Sequence, residues 1–167
     1  LSIFLFYQKW GAAVIKKDRS KFNVSKDTSK RTYNEIVFDS EMEMRFYRDV
    51  ILPYMGSGDI VRCEMQKPYE LQPKFKRKNK TVNAIKYVSD FYVVTKSGAE
   101  IIIDIKGQPD SVAKLKRKLM FFKYPDIDYR WITYSKIDGG WTDYETVKKA
   151  RSKRKKQKEI QNEKTWS

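Results

Sequence analysis

The chain has 167 residues and carries 36 Lys and Arg against 21 Asp and Glu, a formal charge of +15. That length suits one domain with extensions, and that charge points to a polyanionic partner, nucleic acid before anionic membrane. With no histidine and a single cysteine, a Ser-His-Asp triad, a His-ligated metal, a zinc finger and an internal disulfide are excluded.

Chemistry is then left to Asp, Glu, Lys, Arg, Tyr, Ser and Thr, with any metal held by oxygen. A lone thiol suits a reducing cytosol, so the expected compartment is cytoplasmic. The opening "LSIFLFYQKWGAAVIKK" is apolar. It is too short, and too interrupted by Gln8 and Lys9, to span a membrane, which takes about 20 apolar residues. It also lacks the basic start of a secretory signal. It reads as a strand or docking segment. The first residue is Leu, which points to a start upstream or an unusual initiation codon. Residues 16–33 are polar and charged, and read as a linker or surface arm.

A helix is predicted at about 40–52. Asp39 or Ser40 caps it, Ser40 and Glu43 have capping-box spacing, and Pro53 with "GSG" (56–58) stops it. "DIVRCEMQKPYEL" (59–71) reads as a strand and "QPKFKRKNKT" (72–81) as a basic connection. "AIKYVSDFYVVT" (84–95) and "EIIIDIKG" (100–107) read as strands. The short "KSG" turn between them makes an antiparallel hairpin. "QPD" opens a second helix with Asp110 as its cap. Val112, Leu115, Leu119 and Phe122 recur on it at helical spacing, with Lys114, Lys116, Arg117 and Lys118 filling the other side. "YRWITYS" (129–135) is another strand, "DGG" a turn, and a basic helix runs on from about Thr142. The order α-β-β-β-α-β-α describes an α/β domain with a mixed sheet. The expected division is an N-terminal arm (1–33), a core domain (34–145) and a basic tail (146–167).

The run "AEIIIDIKGQ" (99–108) contains the decisive oddity. Side chains alternate faces along a strand. Ile101, Ile103 and Ile105 therefore share one face, and Ile102, Asp104 and Lys106 the other. An acid followed two residues later by Lys occurs once in this chain, inside its most apolar strand. The pair is either structural, on an edge strand, or functional. Asp90 lies in the partner strand and the hairpin brings it near Asp104. Two converging carboxylates call for a shared cation, and oxygen ligands suit Mg²⁺ or Mn²⁺. On the first helix, Met42, Phe46, Tyr47, Val50, Ile51 and Tyr54 form an apolar stripe. At about 100° per residue, Glu43 falls in the middle of it. An acid inside a core-facing stripe breaks the binary pattern, as functional residues do. Glu43 also has a plain local role as the capping-box acid, and the two roles are compatible.

Glu43, Asp90 and "Asp104-Ile105-Lys106" resemble the PD-(D/E)XK nuclease superfamily. More narrowly, "FDSEME" (38–43), "LQPKF" (71–75), "YVSDF" (87–91), "DIKG" (104–107) and "KYPD" (123–126) resemble small phage-encoded endonucleases akin to Holliday-junction resolvases. The resemblance covers residues 35–135. It departs from the signature at Ser89, where Pro would precede the acid. It implies a restriction-endonuclease-like core and a metal-dependent endonuclease acting on DNA. Branched DNA, a Holliday junction or a flap, is the implied substrate in phage recombination or replication. Glu43, Asp90 and Asp104 would hold Mg²⁺, with Mn²⁺ substituting. Lys106 would orient or deprotonate the attacking water, leaving a 5′-phosphate and a 3′-hydroxyl. A homodimer is implied, because a junction needs two cuts.

Gln72, Lys74, Lys76, Arg77, Lys114 and Arg117 are expected to contact the substrate, and the basic tail to contact phosphates. Such contacts give affinity without sequence information. Two rivals remain at this point. One is a nuclease of the same fold that ignores branching or cuts at ends or specific sequences. The other is a non-catalytic basic nucleic-acid-binding module.

Overall fold

The computed structural model describes residues 27–165. The apolar opening segment and the first part of the 16–33 linker lie outside the described residues. A 3-10 turn (Ser29–Arg31) leads into a short hairpin, β1 (Thr32–Tyr33) and β2 (Ile36–Val37). Its turn residues Asn34 and Glu35 take φ of 47° and 65°, the left-handed values that a two-residue hairpin turn requires. The expected boundary at 33/34 therefore falls inside this hairpin.

The first helical rod is α1 (Glu41–Phe46), a π turn (Tyr47–Ile51) and α2 (Leu52–Gly56). Pro53 does not stop it, contrary to the sequence expectation. The amide of Leu52 donates to the carbonyl of Tyr47, five residues back. That wider turn shifts the hydrogen-bond register just before Pro53, where a missing donor and a bulky ring are tolerated.

The central sheet has the order β3-β6-β7-β8-β9. It comprises β3 (Ile60–Gln72), β6 (Ile85–Thr95), β7 (Glu100–Ile105), β8 (Asp128–Ser135) and β9 (Gly140–Asp143). Only the β7–β8 pair is parallel. A parallel pair needs a crossover, and α3 (Ser111–Lys123) supplies it. The chain is thus a mixed α/β domain. β7 is the middle strand, so the edge-strand reading of Asp104 and Lys106 falls away. Besides the β1–β2 hairpin, the sequence missed β9 and a hairpin within the basic connection, β4 (Phe75–Arg77) and β5 (Lys80–Val82).

Two cores flank the sheet. On the α1 side Phe46, Tyr47 and Ile51 pack on Phe91, Val93, Ile103 and Ile105. On the other side Tyr87, Tyr92, Ile102, Met120, Tyr129 and Trp131 pack together. The closing helix α4 (Tyr144–Thr165) buries Val147 near its start, and its basic length beyond is largely exposed. The apolar stripe of α3 does not face the sheet as its spacing suggests. Val112, Leu115 and Phe122 are exposed, Phe122 by 86%. Of the expected stripe only Leu119 packs there, beside Ala113 and Met120 and with the Arg117 and Lys116 side chains. Arg117 lies 4.2 Å from the Trp131 ring and bonds Glu145 at 2.9 Å. Lys116 Nζ donates to the Lys86 carbonyl. Long cationic side chains can cover apolar surface while their heads stay polar. Among the described residues no helix is long and apolar enough to cross a membrane.

Ile51 is fully buried against both the helix and the sheet. We expect Ile51→Ala to lower stability in urea by about 2–5 kcal/mol. A loss under about 0.5 kcal/mol, typical of surface sites, would contradict this core.

Candidate active site

The site begins where strand pairing fails. The β6–β7 ladder runs from Val94↔Glu100 to Phe91↔Ile103 and stops. The next amide, Ile105 N–H, finds the side chain of Asp90 instead, donating to Oδ2 at 2.7 Å. β8 continues to pair on the other edge, and Lys106 N–H donates to the Ile132 carbonyl at 2.8 Å. That bond ties Lys106 to β8 just past the end of β7, and its ammonium sits 2.5 Å from Asp104 Oδ2. Asp104 is 1% exposed, and Oδ2 has no hydrogen bond of good angle. The contact is an ion pair.

Asp90 sits at a second irregularity. Residues two apart on a strand share a face. Yet Phe91 packs in the α1-side core and Tyr87 in the opposite one; Met65 and Tyr69 divide the same way on β3. The switch lies between Met65 and Tyr69, where Gln66 takes φ of 55°. Gln66 falls opposite Asp90 in the register but forms no ladder pair with it. Non-glycine residues rarely adopt this conformation, and such strain gathers at functional sites. Ser89, next to Asp90, is fully buried and donates to the Lys67 carbonyl.

Helix α1 delivers the third acid. Ser40 is the N-cap, and its Oγ accepts from the Glu43 amide at 3.1 Å. The same hydroxyl donates to Glu43 Oε1 at 2.7 Å. One serine thus caps the helix and aims the carboxylate, so the local and functional roles of Glu43 coincide. Glu43 is 7% exposed. It lines a small cleft with Phe38, Asp39, Gln66 and Asp90.

The charges act on one another. Burial pushes the Glu43 carboxyl up to about 7; Asp39 and Asp104 add to the rise, while Ser40 and Lys106 oppose it. Burial also raises Asp90, reinforced by Asp104 and Glu43 and opposed by Lys106 and the Ile105 amide. For Lys106 burial is the largest influence and acts downward. The carboxylates of Asp104, Asp90 and Glu43 together outweigh it, so its pKa ends raised. Three carboxylates thus face one ammonium.

Among the described residues no three Asp, Glu or Cys side chains stand so that they could hold an ion by themselves. The donor chemistry is nevertheless that of a hard cation, and the buried Asp104 Oδ2 lacks a hydrogen bond. Mg²⁺ is commonly held by one or two carboxylates plus water and substrate phosphate, not by an all-protein cage.

The expected substrate contacts are scattered. Lys74, Lys76 and Arg77 are exposed at the β4–β5 hairpin, and Lys114 is exposed on α3. Gln72 ends β3, six residues from Gln66 or roughly 20 Å along the strand. Arg117 is already paired with Glu145. Sequence reasoning missed Gln66, because neither a glycine nor a turn dipeptide marks its conformation. It also missed Asp39 as a wall of the cleft, having weighed it only as a cap.

A family model described as "Protein of unknown function (DUF1064)" matches residues 19–138. The chain belongs to this family. The DUF1064 match spans Glu43, Asp90, Asp104 and Lys106 and ends before β9 and α4. No curated protein matches the chain.

The raised Glu43 pKa makes stability depend on pH. Between pH 4.5 and about 7 the folded state keeps a proton that the unfolded chain releases. Stability therefore falls as pH rises through that window, by about 3 kcal/mol when complete. Urea unfolding in EDTA should show this decline between pH 5 and 8, and Glu43→Gln should flatten it. An unchanged slope in the variant would mean that Glu43 is not buried as described.

Proposed function

We propose that this protein is a metal-dependent endonuclease that hydrolyses DNA phosphodiesters on a restriction-endonuclease-like core. The observation that carries the reading is the grouping of acids and a lysine at the β7 end. Asp90 accepts from the Ile105 amide, Lys106 pairs with the buried Asp104, and Glu43 lines a cleft with Asp90, in a chain of net charge +15. Buried charge of this kind is costly and often replaceable by apolar residues. Its retention beside a cleft, on a basic protein, fits a site completed by a divalent cation and a phosphate.

Asp90, Asp104 and Glu43 would hold Mg²⁺ or Mn²⁺, which would polarise the scissile phosphate and lower the pKa of the attacking water. The protein groups divide the remaining work. Lys106, its pKa raised by its carboxylate neighbours, keeps its proton at neutral pH. It therefore acts as a cation toward the phosphate and an orienter of water, in preference to acting as a base. Glu43, pushed up to about 7 by burial while no ion is bound, would give up its proton on ligating the cation. Ser40 fixes its orientation. Asp90 ties the chemistry to the backbone through the Ile105 amide. In-line attack would leave a 5′-phosphate and a 3′-hydroxyl.

Branched DNA, such as a Holliday junction or flap, is the preferred substrate, in a phage recombination or replication setting and with a homodimer making the two cuts. These details rest on the motif resemblance. The second reading, a non-catalytic basic module, is favoured by the lack of a pre-built cation cage among the described residues.

The test is a labelled four-way junction beside its linear duplex, with Mg²⁺, Mn²⁺ or EDTA. We expect metal-dependent symmetric nicks at the junction. Asp104→Asn should bring cutting to background, and Lys106→Ala should slow it about 100- to 1,000-fold, the cost of losing one charge-stabilising group. Tight binding without cutting under any metal would favour the second reading.

A further inference from the structure

The basic connection that sequence reading left without structure is a free-standing ribbon. Phe75 pairs with Val82, Lys76 with Thr81 and Arg77 with Lys80, and Lys78–Asn79 forms the tip. Lys78 takes φ of 52°, as a two-residue hairpin turn demands. The ribbon is a sheet of its own, separate from the main one. Every residue from 73 to 81 is exposed. Its role is therefore not to bury a core.

Its charge is one-sided. Lys74, Lys76, Arg77, Lys78 and Lys80 crowd the ribbon, and no acid occurs between Glu70 and Asp90. Among the described residues none of these five cations makes an ion pair. Like charges directly opposite on paired strands are destabilising, and Arg77 faces Lys80 in that way. An external array of anions would remove that cost. The tip carries no apolar side chain, so it lacks the wedge that a lipid surface would take up. A two-stranded ribbon does fit the major groove of a duplex, roughly 12 Å wide.

We infer that the β4–β5 hairpin is a phosphate-gripping finger that lies along one groove of duplex DNA beside the cleft, with Arg77, Lys78 and Lys80 contacting backbone phosphates. The inference rests on the reading of DNA as the substrate. The reach follows from the chain. Eleven residue steps of chain separate Asn79 at the tip from Asp90. At about 3.3 Å per residue the tip lies at most about 36 Å from Asp90. At about 3.4 Å per base pair, the grip falls within about eleven base pairs of the scissile phosphate.

The test is binding of the full chain to a fluorescent 30-base-pair duplex in EDTA, as a function of NaCl. The Arg77→Gln/Lys78→Gln/Lys80→Gln variant is compared with the unaltered protein, after its urea midpoint is checked. Each lost phosphate contact removes about 0.9 from the slope of log affinity against log salt. We expect the slope to fall by about three and affinity near 0.1 M NaCl to drop roughly 10-fold or more. Retained slope and affinity in a folded variant, or no duplex binding by the unaltered chain, would overturn the inference. The nuclease reading fails separately, if the unaltered protein binds the duplex yet no DNA is cut with any metal; the finger then stands.

Discussion

The amide of Ile105 decides how the site is built. It is the first β7 donor beyond the β6 ladder, and a buried amide must find an acceptor. Asp90 Oδ2 takes it at 2.7 Å. That bond fixes one acid against the backbone of the strand that carries the second. Lys106, held by the Ile132 carbonyl from the other side, then folds back onto Asp104. The central strand thus has a hydrogen bond to a side chain on one edge and a hydrogen bond to β8 on the other. The unusual chemistry is confined to the point where the two differ.

Such an arrangement needs support from elements with no chemistry of their own. Ser40 supplies it for Glu43, using one hydroxyl as helix cap and carboxylate donor. Gln66 supplies it for Asp90, because its left-handed backbone turns both strands over and lets one pair of strands serve two cores. The acids are thereby sunk in a protein whose surface is strongly basic. Past the C-terminal end of β8, Arg154 bonds both oxygens of Asp138 at 2.6 and 3.0 Å, tying α4 back to the turn before β9. Beyond that tie the helix carries Lys155, Lys156 and Lys158 into solvent. An acidic cleft in basic surroundings fits the proposed polyanionic ligand and the cation proposed to mediate its approach.

Much of this was legible in the sequence where one physical rule dominates. The Ile-rich run of β7, the Asp110 and Ser40 caps and the alternation that puts Asp104 with Lys106 each follow from local periodicity or a capping hydrogen bond. Glu43 was legible as a violation of the helical stripe. The misses have different causes. Pro53 reads as a stop because a π turn has no sequence mark. The β4–β5 ribbon hides behind charge, since exposed two-sided strands show no apolar alternation. β9 is four residues opening on Gly140, too short for a pattern. The α3 stripe misled because Arg117 and Lys116 pack through their stems and head-group contacts, leaving Val112, Leu115 and Phe122 outside. The face switch at Gln66 arises from tertiary packing and leaves no trace in composition.

The central claim is that three acids and a lysine at the β7 end form a cation-requiring site. It is tested most directly by calorimetric titration of Mn²⁺ into the full chain at pH 7, in two buffers of different ionisation enthalpy, with Asp104→Asn alongside. The account predicts saturable binding accompanied by proton release, because Glu43 is partly protonated at that pH before the ion arrives. It also predicts that the variant loses this binding. Heats of dilution alone, or binding that survives intact in the variant, would contradict it.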